Sequence, residues 1–533
     1  MALTLDLFPY QREAVDVFME RGNELLAFEM GLGKTATAIA CCEALLDQRK
    51  IRTALLVVPG DLKYQWAQAL CKFTDVPTRQ VKVKRRFLTV PDLASCVIVD
   101  GTPEERAKQF ARARECRSEY VIVSTDSVIT DHAEISTLAA SMCVLDEASK
   151  IKSMTSQRSL AVKEYLHYPY RLALTGTPIE NSLDEVFSIM QWVDPCVLGR
   201  LDLFERAYIT RNASGSIIRY KNLDALYARM GTAMCRRTWE DPDVAPYLPK
   251  IEYDTWRVPM GSDVAALYKL MAAELLETYG TYSKGLRLSD THSGLDRRGD
   301  KTSLGRIMSV HTCMEMLVGC PPAIVKSAND YVTTDDTGSK YAFDFIASGH
   351  DLRIFNAKKE FVEERVDQIL LSGAENKVMI FSRYREVVDM FDSAFGHVGH
   401  VVYHGGMSNR DKAAAVDKFL TDPNIRVFIS SHAGAYGVDM PAANYLINYD
   451  IPWGAGLARQ INGRHVRASS LHDTVYVIDV VTEFSIEERK LAVKAFKNAL
   501  ADAGIDGKTT TGTLVNDVEE LREHCIDFLA RFG

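Results

Sequence analysis

The chain has 533 residues, 47% of them hydrophobic and 25% charged, which suits three or four domains or large subdomains of a globular protein. No apolar run approaches the ~18–20 residues of a membrane span, and Met1-Ala2-Leu3-Thr4-Leu5-Asp6 lacks the basic start and long apolar stretch of a secretory leader. The net charge of −8 excludes attachment to nucleic acid by overall charge, though not a local basic channel, and 11 dispersed cysteines without a Cys-x-x-Cys pair suit a reducing compartment.

In chain order, Leu7-Phe8-Pro9-Tyr10-Gln11 opens a helix with proline near its start. A first set of short apolar strands follows: Leu25–Phe28, Ala54–Val58, Tyr120–Ser124, Cys143–Leu145 and Arg171–Leu174. The first leads into Glu29-Met30-Gly31-Leu32-Gly33-Lys34-Thr35 and a helix over Ala36–Leu46. Arg79, Lys82, Lys84, Arg85 and Arg86 form the densest basic run. It alternates like an exposed strand, as either a solvated sheet edge or a nucleic-acid surface would.

The middle of the chain is different. Leu267–Tyr279 has a helical pattern with Gly280 as its stop, and the polar stretch Lys284–Thr302 reads as a loop. Leu304–Leu317 is helical again, and Pro321-Pro322 ends it. Cys313 and Cys320, with His311 nearby, fit a buried helix face better than a zinc site. A second set of strands is expected at Val378–Phe381, Val401–Tyr403, Val427–Ser430, Tyr445–Asn448 and Val475–Val480. A helix through about Ala501, a Gly/Thr-rich joint at Gly504–Gly512 and a short last helix complete the chain. Strands apolar throughout, alternating with helices, predict two α/β units with parallel sheets covered on both faces.

The glycine-rich loop carries the first chemical signal. Glycines let backbone N–H groups wrap phosphates, and the following helix N-terminus adds positive potential. Lys34 would then reach the β- and γ-phosphates, and the Thr35 hydroxyl would ligate Mg²⁺. Phe28 stands where the strict P-loop pattern has glycine. The strand Cys143–Leu145 ends in Asp146-Glu147, and carboxyl ends of parallel strands are where such sheets bind ligands. Asp146 would hold Mg²⁺ through water, and Glu147 would orient and deprotonate the attacking water. The Gln11 amide can read an adenine edge, because it donates and accepts at once.

Together these motifs resemble the Swi/Snf-type ATPases, a branch of the superfamily-two helicases, over most of Leu7–Arg489. Tyr10-Gln11 resembles the adenine motif, and Glu29–Thr35 the family's phosphate loop, whose first position is not glycine either. Val57-Val58-Pro59 and Trp66, Asp146-Glu147-Ala148-Ser149, and Leu174-Thr175-Gly176-Thr177-Pro178 resemble the next three motifs. Lys377–Arg383, His404-Gly405-Gly406 with Arg410, Ser430–Asp439 and Gln460–Arg467 resemble those of the second lobe. Ser149 and His432 depart from the usual His and Arg.

The resemblance implies two RecA-like lobes with helical protrusions: residues 1–245 as lobe one, 246–365 as protrusion and linker, 366–500 as lobe two and 501–533 as a tail helix. It implies ATP and Mg²⁺ as cofactors. Gln460 would contact the γ-phosphate, and Arg464 and Arg467 would act as arginine fingers. Thr175, Gly176, Thr177 and Asp439 would couple the nucleotide to the lobes. Nucleic acid would meet Pro59, Gly60, Ser124, Thr125, Ser382, Arg383, His404, Gly405, Ser431, His432 and Gly434, which are hydroxyls, glycines and backbone groups suited to phosphate contact without base reading. The expected function is ATP-driven translocation on double-stranded DNA, forked DNA included. A recruiting protein would bind the protrusions or the tail, and the setting would be a bacterial or viral-host cytoplasm. A strand-separating DNA or RNA helicase, and an ATP-binding scaffold without turnover, are the alternatives.

Overall fold

The computed structural model describes residues 3–83, 86–180, 182–211, 217–289, 297–334, 338–354, 356–431, 439–452, 455–492, 495 and 517–532. The chain divides into two compact units. The first is built from Met1–Leu248 and takes in Gly454–Gly463; the second comprises Pro249–Trp453, Arg464–Phe496 and the C-terminal segment.

The first unit carries strands β1 (Asn23–Phe28), β2 (Thr53–Val58), β3 (Thr78–Val83), β4 (Arg86–Pro91), β5 (Cys96–Ile98), β6 (Tyr120–Ser124), β7 (Ala140–Leu145), β8 (Tyr170–Leu174), β9 (Ile209–Arg211), β10 (Ile217–Tyr220) and β11 (Met234–Arg237). Seven of them form one sheet in the order β11-β1-β8-β7-β2-β6-β5. Every pairing in it is parallel. β2 is buried at each residue, as a strand covered by helices on both faces must be. The core joins β-branched and leucine side chains of the strands to Val186, Ile189 and Trp192 of helix Leu183–Val193. Two antiparallel hairpins, β3–β4 and β9–β10, stand outside this sheet.

Two sheet strands lie outside the expected set. β5 is three residues long, too short for a periodic signal. β11 ends in Arg236-Arg237, which reads as surface; Arg237 is neutralised by Glu13 (2.7 Å) and Asp243 (2.8 Å).

The second unit holds β12 (Lys250–Val258), β13 (Val378–Phe381), β14 (His400–Tyr403), β15 (Val427–Ser430), β16 (Tyr445–Asn448) and β17 (Thr474–Thr482), in the order β12-β17-β16-β13-β15-β14, all parallel. β12 lies in the stretch expected to be protrusion and linker. It is half exposed and has no apolar run, so its position rests on unbroken register with β17, from Lys250↔Thr474 to Val258↔Thr482.

The helical region also corrects the sequence reading. One helix runs from Ser262 to Ser289, through Gly280, and the next from Arg297 to Gly319, so most of the expected loop is helical. A glycine inside a helix costs only ~1 kcal/mol relative to alanine. Burial of Tyr268, Met271 and Leu275 against Ile307, Val310, Met314 and Leu317 offsets that. Pro321 starts a new helix, Pro321–Thr334, where its missing N–H costs nothing. Leu521, Cys525 and Phe528 of the last helix, Asp517–Phe532, complete this core, and Cys313 is buried within it. The helix expected to reach Ala501 lies partly outside the described residues, and the Gly504–Gly512 joint wholly so. No helix among the described residues is long and apolar enough to cross a membrane.

Candidate nucleotide site and nucleic-acid edge

The loop Glu29–Gly33 connects β1 to helix Lys34–Asp47 at the carboxyl end of an interior strand. Gly33 has φ +79°, a left-handed conformation that a side chain rarely adopts, and a Cβ there would overlap Gln11 Nε2. Gln11 pins the loop from below: its amide donates to the Leu32 carbonyl (3.0 Å) and accepts from Phe8 N (3.0 Å). The Tyr10 hydroxyl donates to the same Leu32 carbonyl (3.2 Å), and its ring stacks on Phe8 at 5.7 Å. Lys34 Nζ donates to the Phe28 (2.9 Å) and Glu29 (3.2 Å) carbonyls, so the ammonium lies under the loop. Thr35 follows in the first turn of the helix, where backbone N–H groups are left without intrahelical partners.

Trp239 and Arg236 brace this loop, a role that residue type and spacing do not show. The Trp239 backbone N–H donates to the buried Glu29 carboxylate (2.8 Å), and its indole N–H to the Met30 carbonyl (2.7 Å). Arg236 Nη1 donates to the carbonyls of Ala27 (2.8 Å) and Gly176 (3.3 Å). The loop is thus braced from 200 or so residues away in sequence, which no local pattern reveals.

β7 ends at Leu145, two strands from β1, and delivers Asp146 and Glu147. Asp146 is buried, and burial raises its pKa above the ordinary carboxylate range. Two donors oppose that rise: Trp66 Nε1 at 2.8 Å on Oδ2, and the Glu147 backbone N–H at 2.9 Å on Oδ1. Sequence alone marks Trp66 only as part of a motif. Glu147 is half-buried and sits at φ +50°, uncommon outside glycine. Gly176 closes the same pocket of side chains: a Cβ there would lie 2.8 Å from Met30 Cε and 3.4 Å from Lys34 Nζ. Thr175 and Thr177 beside it are buried, with Thr177 N donating to Thr175 Oγ1 (3.2 Å).

At the carboxyl ends of β2 and β6, Val58 pairs with Ser124, which brings Pro59 and Gly60 beside Ser124 and Thr125. Gly60 is exposed, and the Ser124 hydroxyl engages Ser127 (2.7 Å). Thr125 faces inward: its N–H (2.9 Å) and hydroxyl (3.2 Å) both donate to the Val58 carbonyl, so it shapes the turn.

In the second unit, Phe381 and Tyr403 both register with Ser430, so the loops bearing Ser382, His404 and Ser431 emerge side by side. Gly405 is exposed there. The Ser382 hydroxyl donates to the Asp450 carboxylate, which also accepts from Arg383 N (3.0 Å). The Arg383 guanidinium turns to buried Glu315 (2.9 Å), which also accepts from the Tyr384 hydroxyl (3.1 Å) and pairs with Lys490. His404 is bound by Arg385, and burial together with that positive neighbour lowers its pKa. Arg464 (3.8 Å) and Arg467 share the exposed Asp439 carboxylate. Gln460, expected with them in the second lobe, is buried on helix Ala455–Asn462, which groups with the first unit. His432 and Gly434 lie outside the described residues.

A parallel sheet with a lysine-threonine helix start after β1, acids after β7 and a second parallel-sheet unit in the same chain defines a helicase-like, nucleotide-binding protein of two α/β lobes. The fold is similar to the Hef helicase domain of Pyrococcus furiosus, at TM-score 0.55 and 16% identity, covering 91% of this chain and 97% of that one. Residues 10–294 match the SNF2-related domain model and residues 362–469 the helicase conserved C-terminal domain model. The chain belongs to the SNF2-related family of helicase-like ATPases, as its motifs suggested. It is 26% identical to a Drosophila erecta protein, "DNA repair and recombination protein RAD54-like", over 94% of this chain and 63% of that protein. It is 22% identical to the ATP-dependent helicase brm of Drosophila melanogaster, over 94% of this chain and 29% of that protein. The chain thus spans less than two thirds of the length of these curated relatives.

Proposed function

We propose that the chain hydrolyses ATP in a nucleic-acid-stimulated manner and couples this to translocation along double-stranded DNA. The observation that carries the reading is the convergence of Lys34, Gly176, Asp146 and Glu147 at the carboxyl edge of one sheet, in a chain of this family. The loop N–H groups and Lys34 bind and orient the phosphates. Glu147, directly after the β7 carboxyl end, positions water and takes its proton. Thr35 and Asp146 offer hard oxygen donors of the kind Mg²⁺ takes, and that ion supplies charge neutralisation on the phosphates when bound. Arg464 and Arg467 take the arginine-finger role, worth ~10³–10⁵ in rate where it operates. Asp439, holding both guanidiniums, is their positioning residue.

The DNA part of the reading is supported by a relative described as acting in DNA repair and recombination. It is also supported by the exposed glycines and hydroxyl-bearing loops at the carboxyl edges of both sheets. Such surfaces suit phosphate contact. The test is ATP hydrolysis without nucleic acid and with duplex, single-stranded, forked DNA or RNA, alongside Lys34→Ala. Duplex or forked DNA should stimulate wild type at least several-fold and Lys34→Ala not at all. Stimulation mainly by RNA overturns the DNA reading, and absence of hydrolysis in every condition leaves an ATP-binding scaffold.

A further inference from the structure

The basic run left undecided by the sequence is a separate structural element. β3 and β4 pair antiparallel from Thr78↔Pro91 to Val83↔Arg86 and are not hydrogen-bonded to the seven-stranded sheet. β4 packs on helix Lys63–Phe73, which starts three residues after Gly60 at the proposed nucleic-acid edge. Arg79 Nε closes the base of the hairpin on the Pro91 carbonyl (3.2 Å), and Gln80 donates to Thr89 across its outer face (2.8 Å).

Exposure alternates along β3, so Gln80 and Lys82 face solvent while Val81 and Val83 turn in. Lys82 registers with Phe87 on the opposite strand, and Phe87 is 69% exposed. From Val76 to Pro91 the sequence holds five basic residues and no acid, in a chain of net charge −8. A two-stranded ribbon gains little by presenting a phenylalanine to water. Lys82 beside the open Phe87 ring on this face matches what single strands bind: a cation follows the phosphates, and a ring accepts any base.

We propose that the β3–β4 hairpin is a second nucleic-acid contact, with Lys82 holding a phosphate and Phe87 stacking on an unpaired base. The preferred substrate is then duplex DNA interrupted by unpaired nucleotides, as at a fork, rather than uniform duplex. This rests on the DNA reading above and adds to it the kind of DNA.

The experiment is fluorescence anisotropy of the full chain with a blunt duplex and a fork of equal duplex length, over a salt series. Wild type should favour the fork. Phe87→Ala should weaken fork binding about tenfold, within the range measured for base–aromatic stacking, and leave the blunt duplex unchanged. Phe87→Trp should keep the fork preference. Lys82→Ala should weaken both DNAs and lower the salt slope by ~0.9, one phosphate contact. ATP hydrolysis without DNA, unchanged in all three, reports that they fold. Wild type without a fork preference, or variants that bind both DNAs with wild-type affinity and slope, overturn the hairpin proposal. The latter is also the outcome if the hairpin serves an acidic protein. Wild type that binds neither DNA instead overturns the DNA reading beneath it.

Discussion

Replacing Trp66 by phenylalanine isolates one hydrogen bond of the nucleotide site. The indole N–H lies 2.8 Å from Asp146 Oδ2, and both side chains are buried, at 3% and 9% exposure. Phenylalanine keeps an aromatic ring in this buried position and removes only the donor. A hydrogen bond to a charged group is worth ~1.5–3 kcal/mol. At 1.36 kcal/mol per decade, the Mg²⁺ concentration for half-maximal hydrolysis should rise by about 10- to 100-fold. The pH profile gives a second readout. Burial raises the Asp146 pKa and the Trp66 donor opposes it. Without that donor the carboxylate takes up its proton at higher pH, so the acid limb of kcat/KM moves towards neutrality. A Mg²⁺ titration of hydrolysis at several pH values reads both effects. If Trp66→Phe lowers the rate while the Mg²⁺ requirement and acid limb stay where they were, Trp66 is a packing residue and the argument fails.

Other perturbations follow from the same geometry. Gly33→Ala forces a left-handed φ of +79° on alanine and drives its Cβ into Gln11, so nucleotide affinity by equilibrium binding should fall at least tenfold. Gln11→Ala removes the bridge between Phe8 and Leu32 and should raise KM for ATP more than it lowers kcat. Acid should destabilise the second unit through His311 and His524, which burial holds at a pKa of about 4 against 6.5 for the free side chain. The unfolded chain binds more protons across that window, so each contribution is complete above pH 6.5 and lost as pH falls towards 4, on the order of 3 kcal/mol per histidine. Thermal unfolding between pH 7 and 4.5 should show the decline, and His524→Gln should flatten it.

The two parallel sheets were legible because their central strands are unbroken runs of Val, Ile, Leu and Phe between turn residues. β11 and β12 were not, because an edge strand carrying Arg236-Arg237 or alternating with charge has no such run; only its partner strand identifies it. The Lys34, Asp146 and Glu147 positions could be read from residue type and spacing. Their supports could not. Trp66 reaches an acid 80 residues away, and Trp239 reaches a loop 209 residues away. Arg383 looked like a phosphate contact from its motif, yet its guanidinium is committed to Glu315, 68 residues distant. Hydroxyls and cations that look available in sequence are oriented by neighbours the sequence does not name, as Thr125 also illustrates.

Translocation on intact duplex is the central claim, and displacement of a triplex-forming strand tests it without requiring the duplex to open. With ATP, wild type should strip the third strand from a duplex track, Lys34→Ala and Arg464→Ala should not, and a plain duplex of the same length should stay paired. ATP-dependent separation of that duplex with the triplex left in place would contradict the account and make the chain a strand-separating helicase.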